Sequence, residues 1–303
     1  MFGIKTKKLK IGILVTGQFV MPAGPGLIYA PMGLATTIGE HLKAHGHDVT
    51  FYGPMGTSVP GMKVKNYNLP PLLKQVGDRE MLSQLEHDEN SRDKIDERIK
   101  IYWDQFLLAE MFKAAERGEH DLLHIHISTA AALPIAYSHP TIPVVITLHD
   151  PLFPWRAKAY ELFKSPNIHL VSISDSQRKP APNLNYTKTI YNGIDLNDFP
   201  YNENPKDYFL WAARIIPEKN PLGAIAAARK AGKKLILVGQ IVRKDYWEKM
   251  VKPQIGGAIE FRGLVSRDEI YTYYQGAQGF LNHIEWEEPF GLVMTEAMAC
   301  GTP

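Results

Sequence analysis

Apolar and polar positions alternate along this chain in two rhythms, one typical of strands and one typical of helices. Short runs rich in β-branched residues predict buried strands at 10–16, 47–53, 122–127, 144–148, 169–173 and 187–191. Between the first two runs, residues 34–44 place apolar side chains at helical spacing and end before Gly46. Because strands and helices alternate, the pattern predicts a parallel sheet with right-handed crossovers.

A second series of the same kind follows. Strands are predicted at 208–213, 234–239, 258–262 and 279–282, and helices at 221–231, 245–251, 267–274 and 291–299. Residues 199–206, rich in Pro, Asn and Asp, are the best candidate for a linker. We therefore predict an α/β protein of two facing, doubly wound, Rossmann-like domains, residues 1–200 and 201–303, with ligands near the carboxyl ends of the strands.

A long charged segment interrupts the first series. Residues 82–117 are rich in Glu, Asp, Lys and Arg but keep apolar residues at helical spacing. This pattern predicts an amphipathic helix or helix pair on the outside of the sheet, with its charges on a solvated face.

The amino-acid composition excludes some classes of function but does not identify one. The formal net charge is +2, so no general field favours nucleic acid or a membrane surface. Cys300 is the single cysteine, which excludes an internal disulfide and a cysteine-rich zinc site. No stretch approaches the roughly 20 apolar residues of a membrane span, and the basic, apolar start reads as a first strand rather than a signal peptide. A cytoplasmic location is predicted.

Loops after the strands of the first half carry candidate ligand contacts. Gly24 and Gly26 would let backbone N–H groups approach an anion, or would form no more than a turn. His124 and His126 point to one face of a strand, where hydrogen-bonded or core histidines are favoured over a metal site, because no Cys or acidic cluster completes one. His149, at another strand end, opens onto the expected cleft and is the favoured ligand contact.

The second half offers a pair of cations. Arg214 ends its first strand, and Lys219 precedes its first helix. Two cations converging on a helix N-terminus would suit a diphosphate, because Arg supplies a planar fork and Lys a point charge. Surface ion pairs would place such residues equally well, so the spacing alone leaves both interpretations open.

The last run of the sequence contains two carboxylates in different settings. Pro289 suits the first turn of a helix, so the N–H groups of residues 290–293 would be free to meet an oxygen-rich ligand, with Glu288 beside them. Glu296 lies among apolar residues, where burial is costly unless a donor such as a ribose hydroxyl bonds to it. The alternative is a capping acid and a solvent-facing Glu.

The order of these motifs resembles that of the family-4 glycosyltransferases of the GT-B fold. The run E-P-F-G-L-V-M-T-E at 288–296 is similar to the family's E-x7-E signature, and residues 214–219 are similar to its Arg-x4-Lys phosphate clamp. Further matching pieces lie at 121–126, 147–149, 172–178 and 191–195. The family's second domain normally continues past Gly301-Thr302-Pro303, so the resemblance implies a GT-B fold whose second domain is incomplete here.

The resemblance also implies a role for each motif. Arg214 and Lys219 would hold the diphosphate of a nucleotide sugar, and Glu288 and His149 would contact its sugar. The remaining donor contacts would come from Gly24 and Gly26, from Leu264 and Val265 beside the base, from the backbone of Phe290, Gly291, Leu292 and Val293, and from Glu296 on the ribose. The family often has adjacent glycines where this chain has Gly24-Pro25-Gly26.

The implied reaction moves a hexose to a hydroxyl acceptor with retention at the anomeric carbon. Its transition state would resemble an oxocarbenium ion, with protein cations in place of a divalent metal. No cofactor and no metal are expected, since the nucleotide sugar is a co-substrate. The form of the terminal run favours UDP-glucose over GDP-mannose, and Glu288 is expected to stabilise charge and orient the sugar rather than attack it.

Two other functions fit part of the same pattern. A sugar-nucleotide epimerase would share the architecture, although the E-x7-E run favours the transferase. An inactive fragment, or one half of a split enzyme, would leave apolar surface that a complementary C-terminal chain or a second copy of this chain would cover. No nucleic-acid partner is expected.

Overall fold

The computed structural model describes residues 7–23, 29–73, 98–127 and 130–303, and packing divides them into two compact units. Unit 1 comprises the described residues up to Tyr191, and unit 2 begins at Asn192. This division falls ahead of the boundary expected after residue 200, and Phe199 of the linker candidate is buried in the core of unit 2. None of the helices in these ranges has the length and apolar content to cross a membrane.

The described part of unit 1 contains a parallel sheet of seven strands. In chain order these are β1 (Lys10–Leu14), β2 (Asp48–Tyr52), β3 (Lys63–Lys65), β4 (Leu122–Ile125), β5 (Val144–Thr147), β6 (Ile168–Ser172) and β7 (Tyr186–Thr189). Their spatial order is β3-β2-β1-β4-β5-β6-β7. The order reverses between β1 and β4, and doubly wound sheets bind ligands at such a reversal point, outside the carboxyl ends of the strands.

Helices connect and cover these strands. They are α1 (Ala30–Ala44), α2 (Arg98–Glu116), α3 (Leu133–Ser138) and α4 (Pro154–Leu162), with 3-10 turns at Ala130–Ala132 and Ser176–Arg178. Helix α2 buries Leu107, Leu108, Met111 and Phe112 in the core that contains β4 and β5. The predicted amphipathic helix is therefore confirmed over 98–116, whereas residues 82–97 of that segment lie outside the described residues.

One charge of α2 does not lie on a solvated face. Asp104 is fully buried and accepts the backbone N–H of Gly17 at 2.6 Å and the side-chain N–H of Gln18 at 3.2 Å. Burial raises the pKa of Asp104 to about 6, although these donors oppose the shift. The expectation of solvated charges is wrong here, because Asp104 stands one helical turn before Leu107 and Leu108 and so shares their buried face.

The described part of unit 2 contains a smaller parallel sheet. Its strands are β8 (Phe209–Ala212), β9 (Leu235–Val238), β10 (Ile259–Phe261) and β11 (Gly279–Phe280), in the spatial order β10-β9-β8-β11. Its helices are α5 (Pro221–Lys230), α6 (Lys244–Tyr246), α7 (Arg267–Gly276) and α8 (Leu292–Ala299), with a π-helical turn at Trp247–Val251 and 3-10 turns at Pro217–Lys219 and Lys252–Gln254. The order reverses between β8 and β11, which gives unit 2 its own reversal point.

Alternate residues of the central strands enter cores on opposite faces of this sheet. Leu210 packs with Tyr274 of α7 on one face, and Trp211 packs with Ile225 of α5 on the other. This is the period of two that a strand imposes on its side chains. The predicted doubly wound α/β class is confirmed. The sequence pattern missed β3, α3 and α4, and it predicted one helix at 245–251 where α6 passes into a π-helical turn.

Candidate functional site

Lys219 and Glu288 meet at the reversal point of unit 2. Lys219 ends the turn that follows β8, and Glu288 lies in the loop that follows β11. The Lys219 ammonium forms an ion pair with Oε2 of Glu288, and the two side chains are only 13% and 20% exposed. The two residues are 69 positions apart in the sequence. Two residues predicted from separate motifs are therefore in direct contact.

Trp286 contacts both members of this ion pair. Its indole N–H donates to Oε2 of Glu288 at 2.8 Å, and the Lys219 ammonium lies 4.7 Å from the centroid of its ring. A hydrogen bond to a carboxylate is charge-assisted, and the face of an indole attracts a cation. Trp286 thus fixes the carboxylate and the cation together. Trp286 is not among the predicted site residues, although it stands beside the E-x7-E run.

Arg214 lies between β8 and the turn that ends at Lys219, and its environment differs from that of Lys219. Its side chain is exposed, and its guanidinium makes no hydrogen bond or ion pair with the residues that the structure describes. The backbone around it is fixed, because the Arg214 carbonyl accepts the N–H of Ile216 at 3.0 Å, and the N–H of Ile215 donates to the Gln240 carbonyl at 2.8 Å. A well-held backbone therefore presents a cation that an anion can reach.

Asn220 joins the turn after β8 to the loop after β11. It adopts the left-handed conformation (φ 44°, ψ 60°), which Asn tolerates better than most residues. Its side-chain oxygen accepts the N–H of Gly223 at 2.9 Å and caps α5, while its amide N–H donates to Oε1 of Glu285 at 2.7 Å. The N–H of Glu285 also donates to the Glu218 carbonyl at 2.9 Å. These bonds hold the loop after β11 against the turn after β8.

Gly239 allows the ends of three strands to approach closely. Its φ is +149°, and a Cβ at this position would overlap the carbonyl oxygen of Ala213, directly before Arg214. Its N–H donates to the Gly263 carbonyl at 2.8 Å. Leu264 and Val265, predicted to flank a base, follow Gly263 at the same edge of the sheet and are both half-buried.

Helix α8 begins at Leu292, with Gly291 as its N-cap residue at φ 89°. Pro289 and Phe290 therefore precede the helix, and the N–H of Phe290 does not belong to its first turn. Within the described chain, the N–H groups of Leu292 and Val293 have no backbone acceptor, as the first turn of a helix dictates. These two groups are the ones that α8 offers to an anion.

Glu296 is buried and has two partners from the protein. The Tyr274 hydroxyl donates to Oε2 at 3.0 Å, and the Arg267 guanidinium lies 3.8 Å from Oε1. Burial raises the pKa of Glu296, and these two contacts oppose the shift. The protein itself therefore supplies partners to the Glu296 carboxylate, whether or not a ribose also donates to it. The bond from Tyr274 could not be predicted from the sequence, because the packing of α7 against α8 has no local signal.

Three histidines form a row beside the reversal point of unit 1. The rings of His124 and His126 lie 4.2 Å apart between centroids, which confirms that they share one face of β4. Nδ1 of His126 and Nε2 of His149 share a hydrogen bond of 2.9 Å, and Nε2 of His124 bonds the Thr147 hydroxyl at 2.9 Å. The row is thus continuous from β4 to the loop after β5.

Burial keeps these imidazoles uncharged at neutral pH. It lowers the pKa of His124 and of His149 to about 4, and that of His126 well below its ordinary value. Among the residues that the structure describes, no group of three or more His, Cys, Asp or Glu side chains is arranged to hold a metal. The row therefore offers hydrogen bonds rather than charge.

The other predicted site residues differ in whether the structure describes them and in the unit to which they belong. Gly24 and Gly26 lie outside the described residues. His149 belongs to unit 1, whereas Arg214, Lys219, Glu288 and Glu296 belong to unit 2.

Two family models match this chain. The model described as Glycosyltransferase Family 4 matches residues 34–198, and the one described as Glycosyl transferases group 1 matches residues 194–303. A curated protein of Bacillus subtilis (strain 168), YtcC, which is named as a glycosyltransferase, is 23% identical over 222 residues. That match covers 60% of this chain and 54% of YtcC, so it spans about half the length of the curated relative.

Solved structures share the fold over nearly the whole chain. Sucrose-phosphate synthase from Thermosynechococcus elongatus is 17% identical with a TM-score of 0.66, covering 98% of this chain and 80% of its own. Anabaena HepE in complex with UDP and glucose is 18% identical with a TM-score of 0.63, covering 97% and 79%. UDP-N-acetylglucosamine 2-epimerase from Rickettsia bellii is 14% identical with a TM-score of 0.54, covering 98% and 78%. At these identities the likeness establishes the fold alone, which is the predicted GT-B fold.

Proposed function

Because the chain belongs to the family described as Glycosyltransferase Family 4, we propose that it moves a hexose from a nucleotide sugar to a hydroxyl acceptor, with retention at the anomeric carbon. UDP-glucose is the proposed donor. The form of the run at 288–296 supports this donor, and so does the UDP and glucose held by the related fold of HepE. In this proposal unit 2 binds the nucleotide, His149 contacts the donor sugar, and unit 1 binds the acceptor.

The contact between Lys219 and Glu288 carries the proposal. One residue comes from the proposed phosphate clamp and the other from the proposed sugar-binding run, and they form an ion pair. A diphosphate and the sugar attached to it require a cation and a hydroxyl-binding carboxylate side by side. Chance surface pairing accounts poorly for a pair that is mostly buried and bonded by Trp286.

The proposed chemistry follows from the charges at this reversal point. The bond between the anomeric carbon and the diphosphate oxygen breaks, and Arg214 and Lys219 stabilise the negative charge of the leaving group. Glu288 stabilises the positive charge on the sugar and orients its hydroxyls. The acceptor oxygen bonds to the anomeric carbon, and its proton passes to the departing diphosphate. Glu296 binds the ribose, and Leu264 and Val265 flank the base.

Metal independence is part of the proposal. The two cations of the turn after β8 would take the role that a divalent ion has in other sugar transfers, since both act by neutralising developing phosphate charge. The expected result is a rate of UDP release that is unchanged by EDTA and by added Mg²⁺. A rate that falls in EDTA and recovers with Mg²⁺ would overturn this part alone.

The test of the function has two stages. A thermal-shift panel of UDP, UDP-glucose, GDP and GDP-mannose identifies the donor, because a ligand that binds only the folded protein raises its melting temperature. The protein is then incubated with that donor and a set of hydroxyl acceptors. Acceptor-dependent release of free UDP with an α-linked product supports the proposal. A new sugar nucleotide without free UDP would instead identify an epimerase, and a size measurement of the active species would reveal any required second chain.

A further inference from the structure

Gln177 is a buried side chain that holds the backbone on both sides of His149. It is 5% exposed and lies in the 3-10 turn after β6. Its amide N–H groups donate to the carbonyl oxygen of Leu148 at 3.1 Å and to that of Asp150 at 2.9 Å. Its side-chain oxygen accepts the N–H of Ile173 at 2.9 Å. One amide thus joins the end of β6 to the loop that carries His149.

No backbone group replaces these bonds. Within the described chain, no backbone N–H donates to the carbonyl of Leu148 or of Asp150, because the β5 ladder ends with the N–H of Leu148 donating to Val171 at 2.9 Å. An amide has two N–H donors and one oxygen, and Gln177 uses all of these atoms. A side chain without N–H donors would leave both carbonyls without their partner, a cost that rises with burial.

The ring of His149 is held from a different direction. Its Nε2 shares a hydrogen bond of 2.9 Å with Nδ1 of His126, and His126 is itself fully buried. Gln177 therefore fixes the backbone of His149, and His126 fixes its ring. Within the described residues this leaves Nδ1 of His149 without a hydrogen-bond partner.

We propose that Gln177 is a positioning residue for His149. By holding the carbonyls of Leu148 and Asp150, it keeps His149 in the one orientation in which its side chain can bond the donor sugar. This inference rests on the proposed function, in which His149 contacts that sugar. It assigns a role to the motif at 172–178, which the mechanism above does not use.

Asn167 provides a matched control. It is also buried, at 8% exposure, and its amide N–H groups donate to the backbone carbonyls of Ala136, His139 and Ile142 at 3.0, 3.1 and 3.0 Å. It lies directly before β6, at the opposite edge of the same sheet, and has no bond to the loop that carries His149. Loss of either amide should lower stability, but only Gln177 should affect His149.

The experiment measures the affinity for UDP and for UDP-glucose, together with kcat and KM. The variants are Gln177→Met, Gln177→Asn, Asn167→Leu and His149→Ala. We expect both Gln177 variants to lose about tenfold in kcat, roughly 1.4 kcal/mol in the barrier, and to bind UDP-glucose no better than UDP, as His149→Ala should. Their affinity for UDP should stay at the wild-type value. Asn167→Leu should lower the melting temperature but keep the wild-type preference for UDP-glucose.

The outcomes separate the inference from the function on which it rests. If the wild type prefers UDP-glucose and releases UDP with an acceptor, but the Gln177 variants keep that preference and rate, the positioning role is wrong. If Asn167→Leu loses the preference as well, the effect is general loosening and the inference is again wrong. A wild type that neither prefers UDP-glucose nor transfers would overturn the proposed function instead. Gln177→Asn keeps an amide at the site, so the test remains decisive if Gln177→Met does not fold.

Discussion

The reversal points of the two sheets are built from opposite electrostatics. In unit 1, His126 shares a hydrogen bond with His149, and His124 bonds the Thr147 hydroxyl. Burial lowers the pKa of all three imidazoles and keeps them uncharged. In unit 2, Lys219 and Glu288 form an ion pair, and the side chain of Arg214, five residues before Lys219, is exposed and has no partner in the described chain. The same position in the same type of sheet thus offers neutral hydrogen bonds in one unit and charges in the other.

The difference suits two kinds of ligand group. Neutral hydroxyl groups are recognised by hydrogen bonds, which uncharged imidazoles supply without needing a counter-ion. A diphosphate carries negative charge that grows as the sugar leaves, so it needs cations that are charged at every working pH and can be reached from solvent. Burial keeps hydrogen-bonding groups neutral, but it would not suit the cations, because an unpaired charge is costly to bury.

The largest expected effect comes from removing the unpaired cation. Arg214→Ala should lower turnover on the order of 10²–10³, the cost typical of losing one charge-stabilising donor. The measurement is the steady-state rate of UDP release in the presence of an acceptor. Arg229→Ala is the control, because Arg229 is an exposed arginine of α5 bonded to Gln254 and should leave the rate unchanged. Equal rates of UDP release for the two variants would mean that Arg214 does not bind the diphosphate.

Lowering the pH should lower the stability of unit 1, because its histidines are uncharged in the folded state. Burial lowers the pKa of His120, His124 and His149 to about 4, and that of His126 also lies well below its ordinary value. Unfolded imidazoles titrate near about 6.5. The unfolded state therefore binds more protons between these values, so the stability from the neutral rings is complete above the unfolded pKa and is lost as the pH falls toward 4.

The pKa shift of Asp104 has the opposite effect, because it makes unit 1 more stable as the pH falls. Its pKa is raised to about 6, so its contribution is present below the unfolded pKa of a carboxyl and is lost as the pH rises through 6. Four histidines outweigh this one carboxyl, and the melting temperature of unit 1 should fall by on the order of 5 °C between pH 7 and pH 5. Differential scanning calorimetry at pH 7 and at pH 5 measures this, and Asp104→Asn should enlarge the fall. A melting temperature that rises in acid would contradict the neutral cluster.

A smaller change in unit 2 tests how its ion pair is held. Trp286→Phe keeps an aromatic face near Lys219 but removes the N–H that bonds Glu288. Loss of a hydrogen bond to a charged group should lower kcat by about tenfold, because such bonds contribute roughly 1.5–3 kcal/mol. Trp247→Phe is the matched control, since Trp247 packs in the core of unit 2 and has no contact with Glu288. Equal kcat values in the two variants would mean that the indole N–H does not position the carboxylate.

The smallest effect is expected at Glu296. Tyr274→Phe removes the hydroxyl that donates to its carboxylate, and a buried acceptor left without its donor costs about 1–3 kcal/mol of stability. Chemical denaturation measures that loss. Tyr208→Phe is the control, because the Tyr208 hydroxyl donates to a backbone carbonyl in the same core rather than to a carboxylate. Tyr274→Phe should also raise the pKa of Glu296 further, which weakens nucleotide binding more than Tyr208→Phe does.

The fold was predictable because its pattern is local. The apolar runs of β8 and β9 and the helical spacing of α5 depend on neighbouring residues, and the predicted bounds agree with the observed ones within two residues. Strand β3 has three half-exposed or exposed residues, and α4 begins at Pro154 after a loop, so neither has a strong period.

The site was predictable only as far as its motifs extend along the sequence. Lys219 and Glu288 were named from separate runs, and that they touch depends on the reversal of strand order between β8 and β11. Trp286, Tyr274 and Gln177 act through contacts between elements that are distant in the sequence. Asp104 is the exception, because its spacing from Leu107 and Leu108 already places it on a buried face.

Gly239 has a consequence for the sequences that can encode this site. The residue meets no proposed ligand, yet a single methyl group there would have to displace the Ala213 carbonyl and, with it, the backbone that leads into Arg214. In a saturation scan selected for turnover, position 239 should tolerate as few amino acids as Lys219 or Glu288. Intolerance at this position would show that the space beside the Cα of Gly239 must stay empty if Arg214 is to keep its position.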